Sequence, residues 1–171
     1  MHTESVNLYQ KNPPNQGSGL LSDSLFEKII KHTPLIAIDL IVQDSARNHL
    51  LGLRKNPPAQ GYWFVPGGRI RKNETLQQAF HRVSADELGL ACDLDQSIFL
   101  GVFEHFYDEN FLGTPNEHTH YLVLAYRLWT DVQQLTLPTD QHARYRWANS
   151  ASILQDLTVH PYSRAYFLSE N

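Results

Sequence analysis

Pro66 to Leu90 runs PGGRIRKNETLQQAFHRVSADELGL. Two glycines close a strand, a polar loop follows, and a helix is predicted from about Glu74 to Leu88, stopped at Gly89, where a C′ glycine belongs. Paired glycines let the backbone turn tightly and leave a carbonyl free to face a cation. Glu87 carries the most information. At about 100° per residue it falls about 20° from Leu76 and Phe80 and about 40° from Val83. A carboxylate on a core-facing stripe is to be paired or to hold a metal, because burying a bare charge is costly. Asp86, about 100° away, falls at the edge of that face. In the alternative arrangement the helix frays after Val83 and Glu87 sits in solvent.

Toward the N-terminus, Leu35 to Val42 is a β-rich apolar run, DSARN is a turn, and HLLGLR is a second strand. Proline and glycine punctuate NPPAQGYWFVPGG, which leaves room for one short strand at Trp63 to Val65. Two long strands are predicted at about Ile98–Tyr107 and Thr119–Thr130, then a short strand near Tyr145–Ala148 and two brief helices. Ser22 is placed as the N-cap of a short helix, SDSLFEKIIK, with Leu25, Phe26, Ile29 and Ile30 in one stripe. Residues 10–19, QKNPPNQGSG, hold no apolar side chain. Residues 1–19 are therefore expected to be a flexible leader and residues 20–171 one folded domain. Strands mixed with helices on a chain this short predict an α/β fold, an α/β/α sandwich around a mixed sheet.

The chain has 171 residues, of which 42% are hydrophobic and 19% charged, so it is neither disordered nor collagen-like. Its net charge of −4 argues against a general affinity for nucleic acid or acidic membranes. A lone cysteine, Cys92, excludes an internal disulfide and a cysteine-based zinc site, and fits a reducing compartment. No apolar run approaches the ~20 residues of a membrane span. A soluble cytoplasmic protein is the expectation. Asp39, inside LIAIDLIV, is a charge in need of a partner, and Phe103, His105 and Tyr107 share one strand face. His118 and His120 are taken as loop residues, and Tyr107 as structural.

Gly68, five residues, Glu74, seven residues, Arg82, and then Asp86-Glu87-Leu88-Gly89-Leu90 resembles the Nudix box, G-x5-E-x7-R-E-U-x-E-E-x-G-U with U apolar. Val83 stands where the glutamate after the arginine belongs, Ser84 at the next apolar position, and Asp86 at the first of the paired glutamates. One Nudix subfamily, the GDP-mannose mannosyl hydrolases, lacks that same glutamate. The chain is similar to it also at TPL (Thr33–Leu35), NPPAQGYWFVPGGR (Asn56–Arg69), HFYDENF (His105–Phe111), THY (Thr119–Tyr121), DQH (Asp140–His142) and SRAYFL (Ser163–Leu168).

The resemblance implies a Nudix-type sandwich, a homodimer, and hydrolysis of GDP-mannose, with GDP-glucose as the other candidate, to GDP and the free sugar. It implies one Mg²⁺ held by the Gly67 carbonyl, Glu87 and the Gln141 side chain, an oxygen set that suits a hard cation. His142 matches the general base, Arg54 the arginine that assists departure of GDP, and Asp39 the contact to mannose hydroxyls. His105 is placed against the sugar, Arg69 and Tyr121 at the diphosphate, and Leu20, Leu25 and Leu53 around the guanine. Val83 removes a carboxylate that would recruit further metal against phosphorus. Water is therefore expected to attack the anomeric carbon, with inversion. The alternative is a Nudix pyrophosphohydrolase that attacks phosphorus in another nucleoside diphosphate derivative, and a third reading is a non-catalytic nucleotide-sugar sensor.

Overall fold

The spine of the fold is β1 (Leu35–Gln43), an apolar run interrupted by one charge, Asp39. The structure is a computed structural model that describes residues 21–110, 112–114 and 117–168; the expected leader and Leu20 lie outside the described residues. One edge of β1 pairs in parallel, from Leu35 to Gln43, with β6 (Thr119–Trp129). β6 in turn pairs antiparallel with β5 (Ile98–Tyr107). The other edge of β1 pairs antiparallel with β4 (Gly67–Arg69), and its end turns into β2 (His49–Arg54). β2 carries β3 (Trp63–Phe64) on one side and β7 (His142–Ala148) on the other.

Alternation along β1 divides the core in two. Ile38, Leu40 and Val42 meet Phe80 and Val83 of α2 (Leu76–Leu88) on one face of the sheet. Ile41 meets Phe64, Ile153 and Phe167 on the other, beneath α3 (Ser150–Gln155) and α4 (Pro161–Ala165). Helices therefore cover both faces of a mixed sheet, the expected sandwich. A further helix, α1 (Asp23–His32), is tied to the β5–β6 loop by an ion pair between Lys31 and Glu117, 2.7 Å.

Several elements differ from the sequence-based expectation. α2 starts at Leu76 rather than Glu74, because Thr75 and Gln78 form a reciprocal capping box. Core contacts begin only at Ala79, so Leu76 is 36% exposed and stands off the buried stripe. Gly67–Arg69 is a strand rather than the end of one: a side chain at Gly67 would collide with the Asp39 carboxylate and the Ile38 carbonyl, so glycine alone lets β4 lie against β1. β7 starts at His142, three residues earlier than expected. His120 belongs to β6, not to a loop, and its ring stacks on Phe106 at 4.3 Å.

Candidate active site

A cleft opens beside the crowded start of β1, where β2 and β4 lie on one side and β5 and β6 on the other. Its walls bring together Asp39, Arg54, Gly67, Arg69, His105 and Tyr121, with Gln141 at the rim. An adjoining depression shares Gly68, Arg69, Tyr121 and Gln141 and reaches Val83, Asp86 and Glu87. Tyr107, taken as structural from the sequence, also lines the main cleft.

Glu87 is buried, 3% exposed, so the helix does not fray after Val83. Its Oε1 accepts from Gln141 Nε2 at 3.0 Å, while Oε2 is buried without a hydrogen-bond partner. Burial pushes its carboxyl up to about 7, against the opposing pull of Arg54. An orphaned carboxylate oxygen beside a side-chain amide, at the edge of a glycine-lined cleft, fits a hard cation. Among the described residues no three His, Cys, Asp or Glu side chains are grouped to hold a metal. A metal here would rely on one carboxylate supplemented by amide and carbonyl oxygens.

Val83 is fully buried, and its Cγ2 lies 3.2 Å from the position a Cβ on Gly68 would take. Helix and strand β4 thus meet through a glycine and a valine, and no second carboxylate enters there. Arg82 binds both oxygens of Glu74, the Arg69 carbonyl and Asp86. It braces the loop between β4 and α2.

The diphosphate candidates converge. Arg54 is anchored by its Nε, which donates to the Pro58 carbonyl at 2.8 Å. The guanidinium of Arg69 lies 4.1 Å from the centre of the Phe26 ring. Half-buried, Arg69 is pulled below the usual arginine range chiefly by burial. Burial pushes the Tyr121 phenol up despite Arg54 and Arg69, so its hydroxyl keeps its proton.

His142 stands behind Glu87, its Nδ1 3.7 Å from Glu87 Oε2. It is 1% exposed, its ring is packed flat against Gly52, and it lines neither cleft. Its Nδ1 is 3.2 Å from Tyr145 Oη, which donates to the Pro138 carbonyl at 2.7 Å. The phenol's one proton is thereby used, so Nδ1 must carry the imidazole proton, and the buried Nε2, which has no hydrogen-bond partner, holds the lone pair. Burial, helped by Arg54, pulls the ring down to about 4, not near neutrality.

Asp39 is 6% exposed and burial raises it to about 7. Tyr166 Oη donates to its Oδ2 at 2.6 Å and lies 3.2 Å from His105 Nε2. His105 stacks on Tyr162 with centroids 4.2 Å apart and planes 5° from parallel. Tyr162 and Tyr166 escaped the sequence analysis, although SRAYFL contains the second. No spacing rule links residue 39 to residue 166; the only signal is a charge in an apolar strand that must find a partner. Leu25 and Leu53 fall outside the walls of both clefts.

The sequence profile of the NUDIX domain matches residues 33–168. "Low-salt glycan biosynthesis protein Agl8" of Haloferax volcanii is 38% identical over 138 residues, 80% of this chain and 85% of that protein. Among solved structures, the MutT protein from Methanosarcina mazei Go1 aligns with a TM-score of 0.63 at 20% identity, covering 80% of this chain and 92% of that one. The NUDIX domain of Shewanella oneidensis NrtR, complexed with ADP ribose, aligns with a TM-score of 0.60 at 17% identity, covering 88% and 99%. At such identities the two solved structures speak for the fold.

Proposed function

The chain belongs to the NUDIX domain family and is a Nudix hydrolase, and from that premise we propose that it splits GDP-mannose into GDP and mannose by attack of water on the anomeric carbon. The observation that carries this is the pairing of Val83 with Glu87. One is an apolar core residue where a second carboxylate would stand, the other a single buried carboxylate with an open oxygen. That donor set suits holding a diphosphate as a leaving group better than assembling several metals around a water aimed at phosphorus. Mg²⁺ held by the Gly67 carbonyl, Glu87 and the Gln141 side chain would neutralise charge on the departing diphosphate.

Arg54 and Arg69 offer planar forks to the diphosphate oxygens, and Tyr121, which stays protonated, donates its hydroxyl. At the other end of the cleft Asp39 and His105 accept from sugar hydroxyls. His142 supplies a lone pair at Nε2 as the base, which requires the 138–142 segment to carry the ring out from under Gly52. Displacement from the opposite face releases β-mannose first from the α-linked substrate. The glycan role in the name of the 38% identical relative, and the ADP ribose held by a similar fold, support a nucleoside diphosphate sugar as the substrate class. GDP-glucose remains the second sugar to assay.

One observation favours a second reading, attack at phosphorus: His142 does not line the cleft. Hydrolysis in ¹⁸O-water separates the two. The proposal expects label on the sugar, none on the nucleotide, and GDP as the nucleotide product. Label on phosphate, with GMP and mannose 1-phosphate, would establish the second reading instead.

A further inference from the structure

Asp39 and His105 come from different strands, β1 and β5, and the Tyr166 hydroxyl joins them. Its side chain rises from the segment after α4, its ring packs edge-on against Phe103 at 4.7 Å, and its hydroxyl reaches both partners. A phenol has one proton. Above pH 7, where Asp39 is ionised, the carboxylate can only accept, so at 2.6 Å that proton lies toward Asp39 Oδ2. The phenol oxygen is then an acceptor for His105, whose Nε2 must carry the ring proton. In a neutral imidazole this leaves Nδ1 as the acceptor nitrogen. The stacked Tyr162 fixes the plane of the same ring.

We infer that Tyr166 is the positioning residue for the sugar end of the cleft, locking Asp39 and His105 into a pair of acceptors matched to the hydroxyl groups of a neutral sugar. The inference deepens the proposed function and rests on it for the identity of the ligand. Two acceptors side by side welcome hydroxyl donors, and they reject a phosphate or a uronic carboxylate, which would meet lone pairs without a proton between them. Tyr166 thereby sets both the geometry and the selectivity. It touches neither the leaving group nor the base.

The test uses the full-length protein and the Tyr166→Phe variant, which keeps the ring against Phe103 and removes only the hydroxyl. Nitrogen-15 NMR of the ligand-free protein at pH 8, where Asp39 is ionised, reads the His105 tautomer directly. The wild type should show Nε2–H, and the variant a mixture or the opposite tautomer. In steady-state assays with Mg²⁺, kcat/KM for GDP-mannose should fall about 10- to 100-fold, while the affinity for GDP, which lacks the sugar, is unchanged. Discrimination between GDP-mannose and its 2-deoxy analogue should shrink. A wild-type His105 protonated at Nδ1 would overturn the inference whether or not the variant folds, as would an unchanged kcat/KM or an equal loss of GDP affinity. The tautomer needs no substrate. A wild type with the expected tautomer but inert toward every nucleotide sugar would therefore refute the proposed function and leave the role of Tyr166 standing.

Discussion

Replacing Glu87 by glutamine should stabilise the metal-free protein above neutral pH while abolishing its activity. The reasoning starts from burial. The Glu87 carboxyl rises from 4.5 to about 7 in the folded state, chiefly through burial. A folded-state pKa raised above the unfolded value means the native protein holds a proton that the unfolded chain has lost. Stability from this group is therefore present below about pH 4.5 and is lost as pH rises toward 7. A rise from 4.5 to about 7 corresponds to about 3 kcal/mol at pH 8. Glutamine carries no charge, and its oxygen can still accept from the Gln141 amide. Its amide nitrogen would take the position of the partnerless Oε2, at about 1–3 kcal/mol independent of pH. The stability difference, variant minus wild type, should thus climb by about 3 kcal/mol between pH 4 and pH 8. His105 and His160, each pulled down to about 4 by burial, reduce stability below their unfolded range in both proteins, whereas His142, also at about 4, loses its neighbouring Glu87 carboxylate, 3.7 Å away, in the variant, which adds a difference confined to the acid end of the range. Urea denaturation in EDTA across that pH range measures the difference. Saturating Mg²⁺ at pH 8 should then stabilise the wild type alone, by about 2.7 kcal/mol at a hundred times Kd. A pH-independent difference, or equal Mg²⁺ stabilisation of both proteins, would refute the account of Glu87 as a strained, metal-seeking carboxylate.

Three further outcomes are expected. His142→Gln should lower kcat about 10²–10⁴-fold; because only the neutral ring accepts a proton, the wild-type acid limb should fall near pH 4 rather than near 6.5, and should vanish in the variant. Gly52→Ala places a methyl group into the His142 ring, so it should displace that ring, visible as a shift of its NMR resonances. Arg82→Lys loses the fork that grips Glu74 and the Arg69 carbonyl, and should lower stability by about 1–3 kcal/mol in a urea melt.

The sandwich, the two long strands and the buried Glu87 were legible because each rests on periodicity, which is local. The stop of α2 at Gly89 was legible for the same reason: its φ of 65° is a conformation that glycine adopts freely. β4 was hidden because three residues, two of them glycine, have no pattern; the strand exists only because Asp39 and Ile38 leave no room for a side chain opposite them. Arg54, Asp39 and Arg69 were named from the motif resemblance, and the fold gathers them around one cleft. Tyr166 and Tyr162 were invisible because their partners lie more than fifty residues away and on other elements. His142 was named as the base beside Gln141, and adjacency in sequence carries no information about which way a ring faces.

That last point has a structural consequence for the proposed reaction. Gln141 immediately precedes β7, which His142 opens. Gln141 bonds to Glu87 Oε1, while the His142 ring lies against Gly52 with its Nδ1 3.7 Å from Glu87 Oε2, paired in register with Arg54 across a bulge. Cation binding also asks something of Gln141: its amide now points the nitrogen at Glu87, and a metal would take the oxygen. Rotating that amide and freeing the His142 ring are therefore demands on the same short stretch. That stretch is held by Lys55, whose Nζ donates to the Thr139 carbonyl and whose backbone N–H donates to the Gln141 carbonyl, and by Tyr145 on the Pro138 carbonyl. Tyr145 is thus both the acceptor for His142 and a clamp on the segment that must move. Tyr145→Phe would release the segment and also unfix the imidazole tautomer, so on the proposed function its effect on rate is the balance of easier movement against a poorer base.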